Sequence, residues 1–373
     1  MGVYLHLPFC RERCAYCDFT ILTRQEQRID AYLEALEAEI ARFSRERGCR
    51  RADSVYFGGG TPSRIPGEGI ANLLDAVAAA FQLDEDTEIS IEANPEDITA
   101  EKTHHWRTAG VNRVTLGIQS MQARGLARLG RPGHVEDVFP ALERLRDAEL
   151  PTIGADLIFG APGQSPEQWH SELDACRELE LDHLSCYALE TTGRTPLVRA
   201  IERGDGPLCD PDLAAELFEQ TRNRLLREGW QHYEISNFAR PGSMSRHNLK
   251  YWSDTNYAGF GLAAASYVDG ERWTNPRGYA AYLRAARGGQ DRPKPEPYEP
   301  SRRAGEALVF GLRRLAGVRL ERIAERYGVE QLRAREAAIA RAIDRGLAVR
   351  DGDRLRLSEA GLLLADEFFA ELI

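Results

Sequence analysis

From Val3 to about Phe238, short runs of β-branched and aromatic residues alternate with longer amphipathic stretches, roughly one pair per 30 residues and six times over. A strand that returns in the same direction needs a crossover of a dozen or more residues, so this spacing predicts parallel strands joined by right-handed helical connections. The strand candidates are residues 3–7 (VYLHL), 54–58, 88–93, 113–118, 153–159 and 183–189. Helical candidates such as 31–43, 70–81 and 138–148 repeat their apolar residues every three or four positions. Six units fall short of the eight that close a barrel. The predicted fold class is therefore α/β, an open partial (β/α)6 TIM-like barrel.

The unusual residues follow these strands. A cysteine loop comes after the first, "GGGTP" (58–62) after the second, Glu92 and Asn94 at the third, Gln119 at the fourth and "GAPGQ" (160–164) after the fifth. All would meet on the C-terminal rim, the face of such barrels that carries active sites. The predicted organisation is a barrel over 1–238, a Gly- and aromatic-rich extension over 239–290, a Pro-rich linker over 291–301 and a small domain over 302–373. Three helical stretches, a hairpin turning at Asp351-Gly352-Asp353 and a last helix give that tail a winged-helix-like order.

A net charge of -10 and a tail of mixed charge argue against nucleic-acid binding, which rests on neutralising phosphates. No apolar run approaches the roughly 20 residues that span a bilayer, and Met1 leads directly into the first strand; a cytoplasmic protein is expected, with peripheral membrane contact left open. Of seven cysteines, Cys49, Cys176, Cys186 and Cys209 are scattered singly. They suit small buried hydrophobes better than a disulfide framework.

Cys10, Cys14 and Cys17 are different, since all three fall within eight residues. Soft thiolates this close select zinc or an iron–sulfur cluster. Closed zinc sites need a fourth ligand, and His6 sits back in the strand; unliganded thiols at this density would be a redox liability. The favoured reading is a four-iron cluster on three cysteines with one iron open to a small molecule.

"CRERCAYC" fits CxxxCxYC, and on that motif the chain resembles the radical S-adenosylmethionine (SAM) superfamily. Through "YLHLPFC", "FGGGTPS", "SIEANPE", "RVTLGIQS", "LGRPGH", "ADLIFGAPGQ" and "HLSCYALE" it is similar to the coproporphyrinogen oxidase-like subfamily. "YEISNFARPGSMSRHNLKYW" and "GFGLAAASY" bring it nearer the heme-chaperone branch. The resemblance implies a 4Fe-4S cluster on Cys10, Cys14 and Cys17, with SAM chelating the open iron. It implies a SAM pocket drawn from Tyr4, Tyr16, Gly59, Gly60, Thr61, Glu92, Gln119, Arg131, Asp156, Ala188 and Ala265. Alone, the charged members of that set would read as a solvated face. His247, in "HNLKYW" beside Tyr251 and Trp252, stands equally as a structural histidine and as a heme ligand.

Two departures separate the chain from the oxidases: they extend the motif to CxxxCxxCxC where this chain has Phe19, and they carry an N-terminal extension ahead of the first strand. Decarboxylation of coproporphyrinogen is therefore not expected. The resemblance implies a chaperone that binds heme and transfers it to acceptor hemoproteins, such as respiratory enzymes. The alternative is a radical enzyme, a methyltransferase or cyclopropanase using a second SAM. Oligomeric state is not legible.

Overall fold

The first strand, β1 (Gly2–Leu7), is buried along nearly all its length, as befits a parallel strand covered on both faces. It begins a series with β2 (Arg50–Gly59), β3 (Phe81–Ala93), β4 (Arg113–Gln119), β5 (Thr152–Phe159) and β6 (His183–Ala188), each parallel to the one before. The computed structural model describes residues 1–193, 195–204, 210–289 and 291–373. Helices α1 (Ile29–Arg47), α2 (Gly67–Ala80), α3 (Ala100–Ala109), α4 (Val138–Asp147) and α5 (Pro166–Arg177) supply the crossovers, and α6 (Pro211–Arg227) follows the last of these strands. Their buried faces follow the helical period: Tyr32, Leu36, Ile40 and Phe43 on α1, and Ile70, Leu73, Leu74 and Val77 on α2. Ser165 and Gln168 close a reciprocal capping box at the start of α5.

Beyond β6 the sheet continues antiparallel through β8 (Asn237–Ala239) and β7 (Gln231–Glu234). On the other side, β9 (Tyr257–Phe260) pairs parallel to β1 and is extended by β10 (Ala265–Val268) and β11 (Glu271–Thr274). The result is one eleven-stranded sheet whose two edges do not pair, an open partial barrel. The Gly- and aromatic-rich stretch thus lays three strands on the β1 edge. β9 is a seventh parallel strand that alternation does not reveal, because it is four residues long and includes Gly259. A Cβ at Gly259 would stand 2.1 Å from the Ala265 carbonyl oxygen, so only glycine lets this edge turn back on itself. Periodicity also gives Phe81 to the second helix, whereas Phe81 opens β3 directly after Ala80.

A second hydrophobic core lies in the tail, around Leu308, Leu312, Ile339, Leu355 and Phe368. It is built from α9 (Pro300–Leu312), α10 (Leu320–Tyr327), α11 (Glu336–Asp344), a three-stranded sheet of β12 (Val318–Arg319), β13 (Ala348–Asp351) and β14 (Arg354–Leu357), and α12 (Ala365–Leu372). The hairpin turns at Gly352 with φ +56°. Ile235 reaches from the barrel into this core, and the Ile235 and Leu315 amides donate to the Arg313 and Tyr233 carbonyls at 3.1 and 3.2 Å. Cys176 and Cys186 are buried as expected, but Cys49 is exposed just past the end of α1, and Cys209 lies outside the described residues. Among the described residues no helix is long and apolar enough to cross a membrane.

Candidate cofactor site

Three segments build the site at the C-terminal ends of the parallel strands. After β1 the chain makes a loop that Phe9–Cys10 and Leu22–Thr23 close as a short parallel pair. The Leu22 amide donates to the Pro8 carbonyl at 2.7 Å, and the exposed Arg13 braces the turn by donating to the Cys17 and Phe19 carbonyls at 3.0 and 3.2 Å. Cys10, Cys14 and Cys17 face a cavity of about 530 Å³. Burial pushes the Cys10 thiol up to about 11, against the pull of the Thr61 hydroxyl 3.4 Å away. Ligation would require its deprotonation by the metal centre it binds.

The second segment is the turn after β2. Gly59 has φ +116°, and a Cβ there would fall 2.5 Å from the His6 ring. A Cβ at Gly60 would lie 2.6 Å from the Pro8 carbonyl carbon and 3.0 Å from Cys10 Sγ. Backbone and cysteine loop can approach this closely only because both positions lack side chains.

The third segment is the ring of strand ends. Tyr56 donates its hydroxyl to Glu92 at 2.8 Å, and the Gly59 amide donates to the other carboxylate oxygen at 3.2 Å. Burial, then the charge of Asp156, pushes Glu92 up to about 7; burial pushes Asp156 up to about 6. Two carboxyls whose burial raises them toward neutrality would lose their protons to solvent when a cationic guest binds beside them, and would then accept hydrogen bonds from it. Arg131 donates to Asn94 Oδ1 at 2.9 Å, to the Gly117 carbonyl, and to Cys14 Sγ at 3.7 Å. Gln119, where the β4 register slips, carries φ +68°, a strained conformation for this residue type.

Of the predicted site residues, the cysteines, Tyr16, Gly59, Gly60, Thr61, Glu92, Gln119, Arg131, Asp156 and Ala188 all line this cavity. Three predicted residues lie elsewhere. Tyr4 is inside the barrel, stacked on Tyr56 with its hydroxyl 3.1 Å from His6 Nδ1. Ala265 is in the edge strand β10, opposite Thr274. His247, on the short helix α7 (Arg246–Tyr251), is buried near the start of β2, stacked on Tyr56 at 5.0 Å. Its Nδ1 meets Ser54 Oγ at 2.9 Å and its Nε2 meets the Tyr251 hydroxyl at 3.0 Å, so neither ring nitrogen is free. Burial, and then the positive charge of Lys250, holds this imidazole neutral, down to about 3. The cavity also takes in Tyr187, Ser236 and Arg313, which sequence reasoning does not single out. Tyr187 could have been found as the next outward position on a predicted strand; Arg313 comes from the C-terminal domain and carries no local signal.

The chemistry of the donor set suits an iron–sulfur cluster, although among the described residues no three such side chains are already drawn together as a metal-binding group. Three soft sulfurs open on one space, Arg131 and Thr61 touch two of them, and the fourth side is bounded by the Gly59–Thr61 turn.

Such a cavity in such a barrel defines a radical SAM protein, and residues 4–176 match the Radical SAM superfamily while residues 299–364 match the HemN C-terminal domain. The fold aligns with the solved coproporphyrinogen III oxidase HemN from Escherichia coli at a TM-score of 0.85, over 100% of this chain and 89% of that one, at 24% identity. The chain is 33% identical to the heme chaperone HemW of Bacillus subtilis (strain 168), covering 100% of this chain and 99% of that protein. It is 36% identical to HemW of Mycobacterium tuberculosis (strain ATCC 25618 / H37Rv), covering 100% and 94%. This chain belongs to the HemW heme-chaperone family.

Proposed function

We propose that this chain binds heme and hands it to acceptor hemoproteins, respiratory enzymes among them, while carrying a 4Fe-4S cluster on Cys10, Cys14 and Cys17 with SAM on the open iron. The observation that carries the reading is the convergence of those thiols with Thr61, Glu92, Arg131 and Asp156 in one cavity of a HemW-family chain. SAM bound there would supply a sulfonium open to one-electron reduction.

The chain's own residues do the holding. Cys10, Cys14 and Cys17 present sulfur from one braced loop. Glu92 and Asp156, once deprotonated, accept hydrogen bonds from ribose hydroxyls or an ammonium group, and Arg131 offers a guanidinium to a carboxylate. Phe19 stands in the cavity wall, 59% exposed, where a fourth cysteine would mark the oxidases. His247 enters this reading as a support for Tyr56, and through Tyr56 for Glu92; ligating heme would require it to leave Ser54 or Tyr251.

Anaerobic reconstitution should load about four irons per chain, and Cys14→Ser should lose them. Hemin titration of the loaded protein should give a saturable Soret band, and mixing with an apo-hemoprotein should move that band to the acceptor. Protein that takes up iron but no hemin would refute heme handling. Steady release of 5'-deoxyadenosine or S-adenosylhomocysteine on a small substrate would favour a radical enzyme instead.

A further inference from the structure

The α9 helix ends at Leu312, and its C-cap residue, Arg313, reaches out of the C-terminal domain into the wall of the cluster cavity. Among the described residues its guanidinium makes no ion pair and no hydrogen bond, and its Nε is buried without a partner. The Trp252 ring lies against it, 4.7 Å from the guanidinium carbon to the centroid. Trp252 is the last residue of the "HNLKYW" motif, and its own indole N–H is also buried and unpartnered. The terminal amino groups of Arg313 are not enclosed with the Nε and stay open to the cavity, so a guanidinium with five donors and no acceptor has room there to take an anion.

The other arginines near this wall stand differently: Arg11 lines the cavity from the exposed cysteine loop, and two more are held by protein groups. Arg131 already donates to Asn94, Gly117 and Cys14, and its remaining donors are the ones assigned above to the SAM carboxylate. Arg314 turns the other way and donates to Ser253 Oγ at 3.1 Å. Glu234 feels the charge of Arg313 but accepts from Asn237 instead. Among the described residues no carboxylate hydrogen-bonds Arg313, so an anion paired with it would come from a guest. The same cavity displays two large apolar side chains, Phe19 and Tyr187, 59% and 38% exposed, a surface for a flat macrocycle to cover.

We propose that Arg313, steadied by Trp252, is a carboxylate anchor for a propionate of the tetrapyrrole that enters the cluster cavity. This rests on the heme-handling reading above and assigns a role to the last residue of the "HNLKYW" motif as the support of that anchor. A charge-assisted bidentate pair in a half-buried wall corresponds to about 10- to 100-fold in affinity.

The test compares hemin with hemin dimethyl ester, which keeps the macrocycle and iron but has no carboxylates, on the full-length, cluster-loaded protein. Wild type should bind hemin at least about 10-fold more tightly than the ester. Arg313→Gln should lose that preference through weaker hemin binding alone, Arg313→Lys should keep part of it, and Trp252→Leu should fall between wild type and Arg313→Gln. Iron content and melting temperature report on whether each variant is folded. An unchanged preference in Arg313→Gln, an equal fall for hemin and ester, or a wild type that does not distinguish them overturns the anchor. A wild type that binds neither overturns the heme reading itself.

Discussion

Gly60 shows how closely single residues set this site. The two nearest atoms to a Cβ at that position are the carbonyl carbon and oxygen of Pro8, at 2.6 and 2.7 Å, which are backbone and cannot swing aside, with Cys10 Sγ next at 3.0 Å. Gly60→Ala should therefore push the cysteine loop off the strand ends and cut iron loading severalfold, with some loss of melting temperature as well, because the Gly60 amide bonds to the Leu7 carbonyl beside the barrel core. Glu92 makes the opposite kind of prediction. Its folded form keeps a proton up to about pH 7, whereas an unfolded glutamate releases it near 4.5, so between those values the folded state binds more protons and stability falls as pH rises. Glu92→Gln should relieve that cost, by about 3–4 kcal/mol above the folded value and by little near the unfolded one. Melting curves of the cluster-free protein at about pH 8 and about pH 5 would show it, and a variant equally stabilised at both would contradict the burial argument. These residues were legible in the sequence because strand ends, glycine runs and cysteine spacing are local signals. Arg313 was not, because its meaning depends on a domain packed against the barrel. His247 was half legible: the motif is plain, but only the fold shows that Ser54 and Tyr251 occupy both of its nitrogens.

At the scale of elements, the alternating pattern located all six strands of the main series, and its errors have physical causes. Helix α2 runs into β3 with no intervening loop, so an apolar Phe81 suits either period. Strand β9 is too short and too glycine-rich to alternate, and its place beside β1 is a contact across some 250 residues that no local window contains. The cysteine loop is an element in its own right, since backbone pairing and one arginine hold it where a longer strand would otherwise be needed. Arg13→Ala removes two hydrogen bonds to that loop, each worth about 1 kcal/mol and both exposed. The expected outcome is normal initial loading of iron followed by roughly fivefold faster loss to a chelator, read as decay of the cluster absorbance; unchanged retention would mean the Phe9–Cys10 pairing suffices alone.

At the scale of the whole molecule, the two cores meet where the site needs them to. Residues 233–236 run between barrel and C-terminal domain: Tyr233 and Ile235 exchange backbone hydrogen bonds with Leu315 and Arg313, Ile235 packs into the second core, and Ser236 lines the cavity. Docking of the domain and completion of the cavity wall are thus one event. Truncating Ile235 to alanine should weaken the docking by about 1–2 kcal/mol, less than for a fully buried isoleucine because this one is only partly enclosed. The barrel core, which does not include Ile235, should keep its own transition. Limited proteolysis should then cut faster within the Pro-rich segment between α8 (Tyr279–Ala286) and α9, and hemin affinity should fall because Arg313 no longer sits in the wall. If cleavage accelerates while hemin affinity is untouched, the domain is a separable appendage and the cavity is complete without it; if both move together, the C-terminal domain is part of the ligand site.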